Sequence, residues 1–294
     1  MNSLKSKPYI SLNGATNSQD INLVAGSLPA RKLKKLGYNT IFGIQVSDKT
    51  QLKNIENKYG ENWYPVGNKL KMPFYNQSAD ELLIHLNIED TSPVSIGMFA
   101  LSLYEKCNFA ATADSDLEYD SRLEILNRVY GFQLNRLPWH IEQYQTVLEK
   151  LKKSSKISRL ILQATNEHLT ELSRAEFVKK LEPYSEFVTD ILLDGSAGQG
   201  IPLNADHLEP FIESCYEKLP NVSVAVAGGL NPDSVKKLAG KLLIKYQHLS
   251  IYAETGLRDN YNPLIPNQST FSTIKAIALL ANTEQVLINR DSAK

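Results

Sequence analysis

Two segments late in the chain restrict its fold most. Residues Asp190–Gly200 read DILLDGSAGQG, and residues Val222–Leu230 read VSVAVAGGL. In each, a short aliphatic run stops abruptly in polar and glycine residues, and a helix-like segment follows. A strand that is apolar without alternation is buried on both faces, as in a parallel sheet covered by helices. Asp194 stands where the first run ends, and Gly195, Gly198, Gly200, Gly228 and Gly229 allow backbone to approach a ligand closely. The expectation is an α/β chain whose chemistry sits at the carboxyl ends of parallel strands.

The same pattern recurs along the chain. Tyr9–Asn13, Thr40–Val46, Leu82–Ile88, Val129–Leu134, Arg159–Gln163, Asp190–Leu193, Val222–Ala227 and Leu249–Ala253 all read as strands. Amphipathic helix patterns fall between or after them at Pro138–Lys152, Ser173–Leu181, Asp206–Leu219, Pro232–Leu243 and Thr270–Leu280. Asn231 before Pro232 reads as an N-cap with proline in the first turn. Gly26 and Pro29 interrupt the first helical segment, and residues 101–126 are read as two short helices around an acidic loop. Eight strand–helix units predict an α/β fold of the (β/α)8 TIM barrel type, as one domain over residues 1–294. An insertion rich in Tyr, Trp, Pro and Asn occupies residues 60–78. The competing doubly wound sheet lacks its GxGxxG fingerprint after the first strand, and no Walker loop occurs.

Bulk properties narrow the partners. Lys+Arg and Asp+Glu are both 32, so no basic excess points to nucleic acid or to an anionic membrane. The N-terminus has no apolar signal core, and the apolar stretch Ala276–Ala281 is far too short to span a bilayer. Cys107 and Cys215 are widely spaced, which favours a reducing, cytoplasmic setting over a disulfide framework. The histidines show no HxH or HExxH spacing, so no metal site or other cofactor is expected. A homo-oligomer is compatible with this composition.

In a barrel, strand-end polar residues converge on one mouth. Those residues here are Asn13, Gln45, Asn87, Gln133, Asn135, Gln163, Asp194 and Glu254. Only Asp194 and Glu254 are carboxylates. The amides orient a polar ligand but move no proton near neutral pH. Asp194 is therefore the expected acid/base, or else a carboxylate that orders its own loop; Glu254 is equally well explained by a structural ion pair. Gln45, Gln133, Gln163 and Glu254 are the expected substrate-orienting groups. Gly228 and Gly229, with Thr255 and Gly256, are the expected phosphate-binding turns, helped by a helix N-terminus and by the charge of Arg258. Lys49 and the aromatics Trp63, Tyr64, Phe74 and Tyr75 suit a lid, or alternatively exterior packing.

These residues resemble the phosphoribosylanthranilate isomerase family. Ile191–Asp194 with its glycine-rich loop, and Ala227–Leu230 with Asn231–Pro232, look like that family's sixth and seventh units. Asn13–Asp20 looks like its CGITxxED opening, so the resemblance covers the start and the last third of the chain. It implies a barrel with a phosphate site and an Amadori rearrangement using a cysteine base after the first strand and an aspartate acid after the sixth. Asp194 falls on the acid position. Asn13 falls on the cysteine position and cannot serve as that base, which leaves it to orient substrate. The serine-glycine turn of the family reads Thr255–Gly256. The resulting expectation is an isomerase or lyase acting on a small phosphorylated or otherwise anionic metabolite. The alternative is a non-catalytic metabolite-binding or scaffold protein that has lost the base.

Overall fold

The computed structural model describes residues 7–15, 18–47, 83–89, 129–135, 139–153, 158–196, 200–262, 264 and 269–292. Lys49, Cys107, the insertion 60–78 and the segment 101–126 lie outside the described residues.

Eight parallel strands follow one another around a closed ring. They are β1 (Tyr9–Asn13), β2 (Asn39–Ser47), β3 (Leu83–Glu89), β4 (Val129–Leu134), β5 (Arg159–Thr165), β6 (Asp190–Asp194), β7 (Ser223–Ala227) and β8 (Ser250–Ala253). β8 returns to β1, with Ile10 opposite Ile251 and Leu12 opposite Ala253, so the sheet has no open edge. The order is that of a TIM-like α/β fold.

Among the described side chains, alternation along the strands divides the interior into two cores. Ile10, Leu12, Phe132, Leu134, Leu160, Leu162, Ile191, Leu193, Val224, Val226 and Ile251 face outward into the large core shared with the helices. Tyr9, Ile41, Ile161, Leu192, Ala225, Ala227 and Tyr252 form a second cluster. Their positions alternate with the outward set, which places them inside the ring. Burial on both faces is why the strands read as unbroken apolar runs.

The helices depart more from expectation. The pattern over Pro138–Lys152 yields a 3-10 turn at Ile141–Gln143 and a helix only at Gln145–Lys152, because Tyr144 between them leaves helical geometry at φ −120° and buries its ring. The helix after β7 is interrupted: Pro232–Ser234 and Gly240–Lys245 flank a π turn at Val235–Ala239. Helix Asn166–Glu171 went unanticipated because it begins directly at the end of β5. Residues Thr270–Phe271, expected to open the last helix, instead pair antiparallel with Arg258–Asp259 as strands β10 and β9. The helix proper runs Thr273–Ser292, and its later charges are accommodated, Glu284 by Lys32 at 2.9 Å and Arg290 by Asp291 at 2.8 Å.

The amino-terminal end of the ring is closed by a buried ion pair. Arg159 on β5 and Asp190 on β6 meet at 2.6 Å, and neither side chain is exposed. The Asp190 carboxylate also accepts the Thr189 hydroxyl at 2.6 Å. The guanidinium lies 4.6 Å from the Tyr9 ring centroid and donates to the Lys7 carbonyl, which ties down the start of the chain. Gly131, opposite Arg159 on β4, makes this possible: a Cβ there would lie 2.8 Å from Arg159 Cβ.

Candidate functional site

The carboxyl ends of the strands carry the other polar region. Asp194 ends β6, buried, and both of its oxygens are engaged. Oδ1 accepts the Ser196 N–H at 2.9 Å and the Ser196 hydroxyl at 2.8 Å. Oδ2 accepts Gln163 Nε2 at 2.8 Å from the neighbouring strand. The first contact is the turn a side-chain carboxylate makes with the amide two residues on. Asp194 therefore orders its own loop and is also held rigidly toward the mouth. Donors on both oxygens fix the orientation of the carboxylate. Ser196 was not singled out from the sequence, although the run Asp194-Gly195-Ser196 is itself a turn signal.

On β4, two residues on from Gly131 and on the same inward side, Gln133 donates through Nε2 to Asn135 Oδ1 at 2.7 Å. Leu134 pairs with Leu162, so the next residue on each strand brings Asn135 alongside Gln163. A polar strip thus runs from Gln133 through Asn135 and Gln163 to Asp194. Gln133 also shares a rung with Asn87, and Asn87 with Gln45, so three carboxamide residues stand in register on β4, β3 and β2. The side chains of Gln45 and Asn87 are outside the described residues.

Asn13 does not have the place expected of it. Its side chain is fully buried, Nδ2 donates to the Ala253 carbonyl at 3.1 Å, and Oδ1 accepts the Ser11 hydroxyl at 3.3 Å. It is a brace closing β1 onto β8, with its amide spent on the protein. Cys215 is no replacement base, since it is buried in the outer core on helix Ala205–Lys218. Glu254, half-buried just past β8, accepts the Leu257 N–H at 3.0 Å through its backbone carbonyl.

The loops after β6, β7 and β8 are brought together by glycines. Leu203 N–H donates to the Gly228 carbonyl at 2.9 Å, and a Cβ on Gly229 (φ 50°) would meet the Gly200 carbonyl at 2.6 Å. A Cβ on Gly256 would overlap the Leu230 carbonyl and lie 2.9 Å from Asn231 Cβ. A Cβ on Gly200 would lie 3.3 Å from the Thr255 hydroxyl and 3.6 Å from the Tyr261 ring. Gly200, Gly228, Gly229, Thr255 and Gly256 therefore form one continuous patch.

Two expected contributors are used elsewhere. Asn231 Oδ1 accepts the Asp233 and Ser234 N–H groups at 2.9 and 2.8 Å, so it caps the following helix and takes up its first donors. Arg258 donates to the Gly14 carbonyl at 2.8 Å and to Ser269 at 2.8 and 3.0 Å, tying the β1 loop to the β9–β10 hairpin. Any anion held by this patch relies on loop amides and on Thr255. Among the described residues, neither Gly228 nor Gly229 donates its N–H to a backbone carbonyl.

At the rim beside Asp194, Thr165 ends β5 and caps helix Asn166–Glu171 together with His168. The Thr165 N–H donates to His168 Nδ1 at 3.1 Å, and the imidazole stacks on Trp139 with centroids 3.9 Å apart. Burial holds the His168 pKa below the usual histidine value, in keeping with a neutral ring that accepts at Nδ1.

No protein-family model matches the chain, and no curated protein sequence matches it. Among solved structures it is similar to one described as a structural study of Project ID from Aquifex aeolicus VF5, at 14% identity and TM-score 0.42, covering 97% of this chain and 94% of that one. It is also similar to the native KDPGal structure, at 11% identity and TM-score 0.43, covering 98% of this chain and 100% of that one. Superpositions at this level carry no argument about function. Among the described residues, no helix is long and apolar enough to cross a membrane.

Proposed function

We propose that the chain is a complete (β/α)8 barrel, a single domain resembling the phosphoribosylanthranilate isomerases, that binds a small phosphorylated or otherwise anionic metabolite at the carboxyl end of its strands. Its reaction is isomerase or lyase chemistry on a sugar phosphate in a cytoplasmic setting, with Asp194 as the acid/base. The observation that carries this reading is Asp194 itself. It is a buried strand-end carboxylate oriented from two sides by Gln163 and Ser196. The patch of Gly228, Gly229, Thr255 and Gly256 holds the anionic group.

Asn13 is a brace and supplies no proton transfer, so the family's own rearrangement is not the reaction expected here. Wild-type protein should turn over phosphoribosylanthranilate far below ordinary enzyme rates, which are roughly 1–10³ per second. Turnover within that range would overturn the assignment of Asn13. With an active sugar phosphate in hand, Asp194→Asn should lower kcat by about 10²–10⁴. The second reading, a binding or scaffold protein, is favoured by the loss of the base position to a brace. It expects ligand affinity to survive Asp194→Asn and no sugar phosphate to turn over.

A further inference from the structure

Among the described residues, Gln133 is the one amide of the polar strip with a fully buried atom that meets no hydrogen-bond partner. It is 1% exposed, its Nε2 is spent on Asn135, and its Oε1 meets no hydrogen-bond partner among the described residues. Phe132 and Leu134 on either side face the outer core, so the Gln133 amide points inside the ring. Buried polar atoms are almost always paired, and an exception at a candidate site calls for a partner that the protein does not supply. Asn13, equally buried on β1, has both amide atoms engaged and makes no such demand.

We infer that Gln133 is a specificity-determining contact for a hydroxyl group of the ligand, at the end of the molecule remote from its anionic group. The hydroxyl assignment follows from the donor and acceptor inventory. A phosphate or carboxylate oxygen only accepts and is repelled by a carbonyl oxygen. An ammonium only donates and would be satisfied in one orientation of the amide alone. A hydroxyl does both, and it pairs with whichever atom Gln133 leaves open once Asn135 is bonded.

The ring supplies the distance. Gln133 lies on β4, whereas the glycine patch lies on the loops after β6, β7 and β8. One ligand touching both must cross the mouth, with an anionic group on one side and a hydroxylated carbon chain reaching into the ring on the other. On β7 the inward residues are Ser223, Ala225 and Ala227, all with small side chains. Asp194, the far end of the strip on β6, lies in ring order between Gln133 and the glycine patch, beside the carbon chain. The contact rests on the mouth being the ligand site, and it narrows the ligand to an open-chain or ring polyol bearing an anionic group.

The test is calorimetric titration of the full chain with four probes: D-ribitol 5-phosphate, pentyl phosphate, ribitol and inorganic phosphate. Wild type should bind ribitol 5-phosphate at least tenfold more tightly than pentyl phosphate. Gln133→Leu and Gln133→Met should abolish that preference, leave inorganic phosphate binding unchanged and melt at or above the wild-type temperature. Two variants are used because either alone can misfold. Equal wild-type affinity for the two phosphate esters overturns the contact. So does a preference that survives both substitutions, or a drop in melting temperature with the preference intact, which marks a water-satisfied structural amide. If inorganic phosphate fails to bind while ribitol binds in a Gln133-dependent way, the anion site falls and the Gln133 contact stands. Phosphate binding with no effect of Gln133 gives the reverse.

Discussion

At the amino-terminal end of the ring, Arg159 and Asp190 are fully buried, face each other at 2.6 Å, and are further engaged by Thr189, Tyr9 and Lys7. At the carboxyl end, the buried groups are amides and one carboxylate, and Gln133 Oε1 is left without a partner among the described residues. The floor carries stronger charges, and the protein itself supplies the partner of each. The mouth carries weaker dipoles and is incomplete. Burying a charge is costly enough that it is tolerated only with a partner supplied by the fold, whereas a neutral amide can wait for one supplied by a ligand. On the proposed reading, the difference separates a structural polar cluster from a binding one in a molecule where both are buried.

The sharpest way to break this contrast is at the floor. Arg159→Met strands Asp190 without its partner and should cost about 3–5 kcal/mol of stability in urea unfolding. Pairing it with Asp190→Leu should recover most of that loss, because two apolar side chains of similar volume leave no uncompensated charge. A single substitution costing under about 1 kcal/mol, the worth of an exposed pair, would mean the floor is not closed as described.

At the mouth, Gly256→Ala drives a methyl group into the Leu230 carbonyl and against Asn231. It should cost about 1–3 kcal/mol, the range for overpacking, and weaken phosphate binding at the same time. Stability lost with phosphate affinity intact would detach the glycine patch from ligand binding.

The smallest effect concerns the rim. Because burial lowers the His168 pKa, the unfolded chain takes up a proton at a higher pH than the folded one. Stability should therefore fall as pH drops below about 6.5, the ordinary histidine value, and level off once the folded ring protonates as well. Thermal melts from about pH 7.5 to 5 should show this slope, and His168→Asn should flatten it. An unchanged slope in the variant would place the titration elsewhere.

Much of this was legible in the amino-acid order. All eight runs read as strands are strands, with ends displaced by at most two residues, since burial on both faces leaves a continuous apolar signature. Asp194 was legible because a strand end is marked by the point where that signature stops. The Gly228–Gly229 and Thr255–Gly256 turns were legible for the same reason. Helix limits were harder: Tyr144, the π turn and the β9–β10 hairpin are settled by what packs against them.

The roles of individual polar residues belong to the tertiary structure. Nothing in RLILQAT reveals that Arg159 is buried, because its partner lies 31 residues away and its room comes from Gly131 on another strand. Asn13 looks like a ligand-facing amide until β8 closes the ring and Ala253 takes its donor. Arg258 looks like a phosphate contact until Gly14 and Ser269 take its guanidinium. Local periodicity reports which face of a strand is apolar. Hydrogen-bond partners come from whichever strand the closure of the ring brings alongside, and that is a long-range property.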